Sequence, residues 1–140
     1  MVDLNIIREC NKMISILEKE LKQKRKEIDA FNTTYNEIRA NIINSMTEHK
    51  VLSIIKLEED IQSYKEKRDK AIVEIREIIN KLDDEIHRKL LELRYIDCMD
   101  WKDITEIIGY SKRYTLKKHA KALKKISKIL KEDIVGHSII

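Results

Sequence analysis

The chain has 140 residues, of which 39% are charged and only 5% aromatic, with two glycines and no proline. So little turn punctuation argues against strands and hairpins, and the dominance of Ile, Leu, Lys and Glu is that of helical bundles and coiled coils, so an all-α fold is expected. The net charge of +4 is modest but unevenly placed: residues 1–111 carry 20 Lys/Arg against 23 Asp/Glu, and residues 112–140 carry nine against two. Positive charge confined to one end favours a polyanionic partner, nucleic acid first and an anionic membrane surface second.

Cys10 and Cys98 have neither metal nor redox spacing, and His49, His87, His119 and His137 are scattered. No glycine-rich phosphate loop, paired-carboxylate pocket, metal cluster or nucleophile elbow is legible. No catalytic residue, metal or cofactor is therefore expected, and the chain does not read as an enzyme. No segment approaches the ~20 apolar residues that span a bilayer, so a cytoplasmic setting without membrane contact is expected.

In chain order, Ile7, Ile14, Leu21, Ile28, Tyr35 and Ile42 recur every seven residues, with Cys10, Leu17, Lys24, Phe31, Ile38 and Ser45 three residues later. This is a coiled-coil seam, interrupted by Lys24, whose stem can cover apolar surface while its head stays wet. Asn32-Thr33-Thr34 is a local weakness, and Thr34 with Glu37 and Ser45 with Glu48 both have capping-box spacing. The apolar phase is kept across Phe31, Tyr35 and Ile38, which argues against a turn at the first. A full reversal is expected at Asn44–His49, setting Ile42 beside Lys50 and Ile7 beside Glu85. The returning helix carries Ile54, Leu57, Ile61, Tyr64, Ala71, Ile75, Ile78 and Leu82 on one stripe. Residues 1–82 thus read as a long antiparallel coiled-coil helical hairpin. Its apolar flanks (Ile43, Ile55, Ile72, Ile79) favour a homodimer through the coiled coil, against the plainer reading of a spacer.

Residues 83–131 form the second expected domain, with 132–140 as a tail. Asp83-Asp84-Glu85 places negative charge at a helix start, and Ile86, Leu90, Leu93 and Tyr95-Ile96 make a short amphipathic helix. After a break at Asp97-Cys98-Met99, Asp100 is an expected N-cap with Asp103 as reciprocal partner. Trp101–Ile108 is a short helix ended by Gly109, and Ser111 caps the next one. On that last helix Leu116, Ala120, Leu123, Ser127 and Leu130 share a face, placing Tyr114, Lys118, Lys121 and Lys125 roughly opposite. Thr115 then occupies the site where a helix-turn-helix would bury a residue, so the packing reads as shifted by one position. Trp101 and His119 read as packing residues and Cys98 as an unreactive thiol.

The segment Leu93-Arg94-Tyr95-Ile96-Asp97 followed by Trp101 and Ile104, then Gly109-Tyr110-Ser111, then His119 with Ala122-Leu123, resembles the C-terminal part of RinA/ArpU-like phage transcriptional regulators. Those are similar here to region four of bacterial sigma factors. The resemblance covers residues 83–130, and Cys98 departs from it where a small residue, often glycine, is usual. It implies a helix-turn-helix that reads double-stranded DNA, with Ser111–Lys121 as recognition helix entering the major groove. Lys112 and Arg113 would be the first exposed positions, Arg113 contacting a base, since arginine can bind guanine bidentately. Tyr114, Thr115 and Lys118 would touch bases or sugar, and Lys102, Lys117, Lys121, Lys124 and Lys125 phosphates. RNA polymerase is a candidate second partner. The plainer reading of Lys124, Lys125, Lys128 and Lys131 is a solvated face. The alternative function is a structural adaptor whose basic C-terminal helix binds an acidic protein or a membrane surface.

Overall fold

The computed structural model describes the backbone of residues 3–33 and 40–139 and the side chains of residues 3–30 and 47–132. Its elements are α1 (Ile6–Thr33), α2 (Ala40–Ile79), α3 (Glu85–Leu91), a π-helical turn (Glu92–Ile96), α4 (Trp101–Ile108) and α5 (Lys112–Ile139). Every regular element among the described residues is helical, so the expected all-α class is the one observed. α5 continues to Ile139, through most of the stretch expected to be a tail.

The chain does not reverse at Asn44–His49, because α2 runs unbroken through it. That stretch contains neither Gly nor Pro, and a serine inside a helix can direct its hydroxyl to its own backbone, as Ser53 does to the His49 carbonyl at 3.2 Å. A capping-box spacing alone therefore does not stop a helix. α1 ends instead at Asn32-Thr33, the expected weak point, and residues 34–39, including the Thr34–Glu37 spacing, lie outside the described residues. The register moves accordingly. Lys50 pairs with Glu27 at 3.8 Å, Arg25 with Glu58 at 2.6 Å and Lys65 with Glu18 at 3.6 Å. Ile7 clusters with Ile75 rather than lying beside Glu85.

The chain divides into two compact units, Glu9–Arg68 and a second formed by Met1–Arg8 with Asp69–Ile140. In the first, α1 and α2 run antiparallel around Ile14, Leu21, Leu57 and Ile61, with Leu17, Ile54 and Tyr64 packed against them. These are seam positions of the heptad pattern, and Lys24 is half-buried among them. The ion pairs along this hairpin are solvent-exposed, worth about 0–1 kcal/mol each, so the apolar seam carries its stability. The side chains of Tyr35, Ile38, Ile42 and Ile43 lie outside the described residues. Of the other flanks expected to face a partner, only Ile55 is exposed, while Ile72 and Ile79 belong to the core of the second unit.

That core gathers Ile7, Ala71, Ile75, Ile78, Leu82, Leu91, Tyr95, Ala122 and Ile126, drawing residues from α1, α2, α3, the π turn and α5. A smaller cluster of Leu90, Leu93 and Ile104 seats α4, with Met99, Trp101 and Ile108 at its edge. Asp84 caps α3, its carboxylate accepting from the Ile86 and His87 N–H groups at 2.8 and 3.2 Å. The π turn closes with the Asp97 N–H on the Glu92 carbonyl, and Cys98 follows in left-handed backbone at φ 56°. This is the position where the resemblance called for a small residue. Arg94 donates to the Met99 carbonyl at 2.9 Å and lies 4.8 Å from the Trp101 ring centroid, tying the connection to the start of α4. Asp100 stands at the N-cap of α4 in extended backbone, but its side chain makes no capping hydrogen bond, contrary to expectation.

Gly109 ends α4 at φ 82°, and a Cβ built there meets nothing within 4 Å. The glycine is thus required by backbone conformation alone. Gly109→Ala is expected to cost about 1 kcal/mol, read as a lower urea midpoint at unchanged m-value. A variant as stable as the parent would mean that the turn does not need left-handed backbone.

Candidate nucleic-acid interface

The candidate surface is built on α4, the turn Gly109–Ser111 and α5. Ser111 caps α5: its hydroxyl accepts from the Tyr114 N–H at 3.2 Å and its carbonyl from the Thr115 N–H at 2.9 Å. Beyond this cap the rotation of α5 is set by Thr115, Ala122 and Ile126, all of them buried. Leu123, Ile129 and Leu130 pack partly against the same core.

This corrects the expected face. Leu116 is 37% exposed and Ala120 is also in solvent, whereas Thr115 is only 1% exposed. The stripes through Leu116 and through Thr115 share Leu123 and Leu130, so hydropathy does not separate them. Close packing does, because small side chains at the contact let helices approach more nearly. Thr115 and Ala122 are the small residues, and the Thr115 hydroxyl donates to the Ser111 carbonyl at 2.9 Å, which removes the penalty of burying it. The one-residue shift expected from the sequence is absent, and Thr115, expected on the exposed face, lies in the core instead.

With α5 rotated this way, the side opposite its buried face carries Arg113, Lys117, Lys121, Lys124, Lys128 and Lys131, all exposed. They recur at intervals of three or four residues and form one ridge. No Asp or Glu occurs on α5 before Glu132. Lys102 on α4 and Lys112 and Ser111 at the cap are exposed as well. Tyr114 is exposed at the ridge's edge, its ring edge-on to that of Tyr110 with centroids 4.8 Å apart.

Lys118 and Lys125 were expected opposite the buried face, but they turn toward α3. Lys118 is half-buried, 5.6 Å from the Tyr114 ring centroid, and its charge acts on Asp84. Lys125 lies 3.5 Å from His87 Nδ1. The candidate surface therefore keeps Lys102, Ser111, Lys112, Arg113, Tyr114, Lys117 and Lys121, loses Thr115, and places Lys118 on its flank. Lys128 and Lys131 join it, and their spacing from Lys117 and Lys124 becomes a usable signal only once the rotation of α5 is known.

Two histidines brace α5 from behind. His119 Nε2 and the Tyr95 hydroxyl share a hydrogen bond of 2.7 Å, and the Trp101 ring meets His119 edge-on with centroids 4.7 Å apart. Burial, with Arg94 adding, lowers the pKa of His119, and burial raises that of Tyr95, so both groups are held neutral. His87 is buried between α3 and α5, with Nε2 3.8 Å from an Asp84 oxygen and no hydrogen-bond partner on that nitrogen. Burial lowers its pKa and the charges of Lys125, Lys118 and Lys121 add to this, against Asp84. The His87 backbone N–H, above all, holds the Asp84 carboxyl below the usual carboxylate range, helped by the Ile86 N–H and the charge of Lys118.

Among the described residues, no group of His, Cys, Asp and Glu side chains could hold a metal ion, and no helix is long and apolar enough to cross a membrane. Comparison of the chain with protein-family models, curated proteins and solved structures gave no match.

The buried histidines make stability depend on pH. Both pKa values lie below the ordinary 6.5 in the folded chain, so the unfolded chain takes up protons first as pH falls. Their contribution is complete above the ordinary value and declines below it. The urea midpoint is expected to fall between about pH 7.5 and about pH 5.5, and the double variant His87→Gln/His119→Gln to flatten that dependence. Equal pH dependence of parent and variant would place both rings in water.

Proposed function

We propose that the chain is a sequence-specific, double-stranded-DNA-binding transcriptional regulator that reads DNA with α5 from Ser111 onward. The observation that carries this reading is the exposed cationic ridge beginning at Arg113, on a helix introduced by a short helix and a left-handed glycine turn. α4, the Gly109–Ser111 turn and α5 supply the order of a helix-turn-helix, in which the second helix enters the major groove at its N-terminal end. Arg113, Lys117 and the exposed part of Tyr114 lie at that end. The likeness of residues 83–130 to RinA/ArpU-like regulators agrees with this reading, and a phage or prophage origin and an RNA polymerase contact belong to the proposal on that ground alone.

The adaptor alternative is weaker in its membrane form. A helix that lies in a membrane interface needs an apolar face directed at the lipid. The apolar face of α5 is occupied by the core through Ala122 and Ile126. An acidic protein partner would be met by the same ridge, and the binding test separates it from DNA.

A homodimer is part of the proposal, with Val51, Leu52 and Ile55 on α2 as its exposed apolar contribution. Light scattering that finds a strict monomer at high concentration removes that part.

Fluorescence anisotropy with promoter-like duplexes tests the function. Binding is expected to weaken steeply with added salt. Arg113→Ala should relax sequence preference by about 1–3 kcal/mol at one base pair. Lys117→Ala should weaken binding to all duplexes alike, and Thr115→Val should bind like the parent. The reading is lost if the parent does not bind duplex at low salt, or if Arg113→Ala and Lys117→Ala both bind as the parent does.

A further inference from the structure

The ridge on α5 is longer than base reading requires. Arg113 to Lys121 covers about 12 Å at ~1.5 Å per residue, which matches the ~12 Å width of the major groove. Lys124, Lys128 and Lys131 continue the same line, bringing its full length to roughly 27 Å. A straight helix inserted by its N-terminal end carries these last three lysines out of the groove, past its phosphate rim. They are exposed, they share the ridge of Arg113 and Lys117, and no carboxylate precedes Glu132 on the helix. Among the described residues none of the three ammonium groups is held by a salt bridge or a side-chain hydrogen bond. By contrast Lys125, the neighbour of Lys124, turns its ammonium to His87. The division lies in rotation about the helix axis rather than in residue type.

We propose that α5 is divided along its length, and that Lys124, Lys128 and Lys131 form a sequence-independent phosphate clamp outside the groove read by Arg113. The inference rests on the DNA-binding reading above and specifies how that site meets its ligand. Lysine suits this role because its ammonium is a point charge on a flexible stem, which follows a phosphate backbone without demanding one base geometry. Each lysine that neutralises a phosphate releases condensed counterions, so the clamp contributes to salt dependence and not to sequence choice.

The test compares the full chain with Lys124→Ala/Lys128→Ala/Lys131→Ala, measuring anisotropy on a mixed-sequence duplex across a salt series. All three positions are exposed helix sites where alanine is a good helix former, so the variant is expected to fold, as checked by its circular dichroism and melting. The plot of log affinity against log salt is expected to become shallower by roughly 2 to 3, at about 0.9 per lost phosphate contact. In selection from a randomised duplex library the triple variant is expected to recover the same sequences as the parent, whereas Arg113→Ala recovers altered ones. An unchanged salt slope overturns the clamp and leaves the DNA-binding reading standing, as does a triple variant that selects different sequences. A parent chain that binds no duplex at low salt overturns the reading on which the clamp rests.

Discussion

The burial of three side chains, Thr115, Ala122 and Ile126, fixes the rotation of α5, and the character of the exposed surface follows from it. Each residue turns an α-helix by about 100°, so an alternative one position away would hide a different set of groups. With Leu116 inward, Lys118, Lys121 and Lys125 would face out together. With Thr115 inward, Lys118 and Lys125 turn back toward α3, and the ridge from Arg113 to Lys131 faces solvent unbroken. Two small side chains and one satisfied hydroxyl thus decide which cations are available to a polyanion.

The surroundings of α5 make that choice rigid. The π turn and the left-handed Cys98 end the helix before α4, and Arg94 bridges the connection by holding the Met99 carbonyl and lying over Trp101. Trp101 in turn meets His119, which is hydrogen-bonded to Tyr95, so α4, α5 and the π turn are joined through ring contacts as well as through apolar packing. Neutral histidines suit such positions, since a charged imidazole there would lack solvent and would face Arg94 or the lysines of α5. The polar groups behind the cationic ridge hold its geometry.

Much of this was legible in advance. The heptad series at Ile7, Ile14, Leu21 and Cys10 marks positions that are buried, and Leu57, Ile61, Ala71, Ile75 and Ile78 do the same on α2, with Leu82 just beyond it. Gly109 and Ser111 announced the end of one helix and the start of the next through local chemistry alone. Capping spacing recurs at Thr34–Glu37 and Ser45–Glu48, and the apolar phase kept across Phe31, Tyr35 and Ile38 favours the second, so the reversal expected at Asn44–His49 falls inside α2. The rotation of α5 is not legible in the sequence, because the stripes through Leu116 and through Thr115 share Leu123 and Leu130 and only close packing selects the smaller residue.

By itself, the sequence determined the helical class, the seam positions, the Gly109 stop with the Ser111 cap, and the concentration of positive charge from Lys112 onward, since each depends on residue type and short-range spacing. Tertiary structure decided the register between α1 and α2, the inclusion of Ile7 in the core beside Ile75, and the orientation of α5. These depend on contacts between residues far apart in the chain, where shape and volume outweigh hydropathy. Gly109 to Lys131 was therefore recognisable from its letters as a turn and a basic helix, but only packing shows which side of that helix is presented.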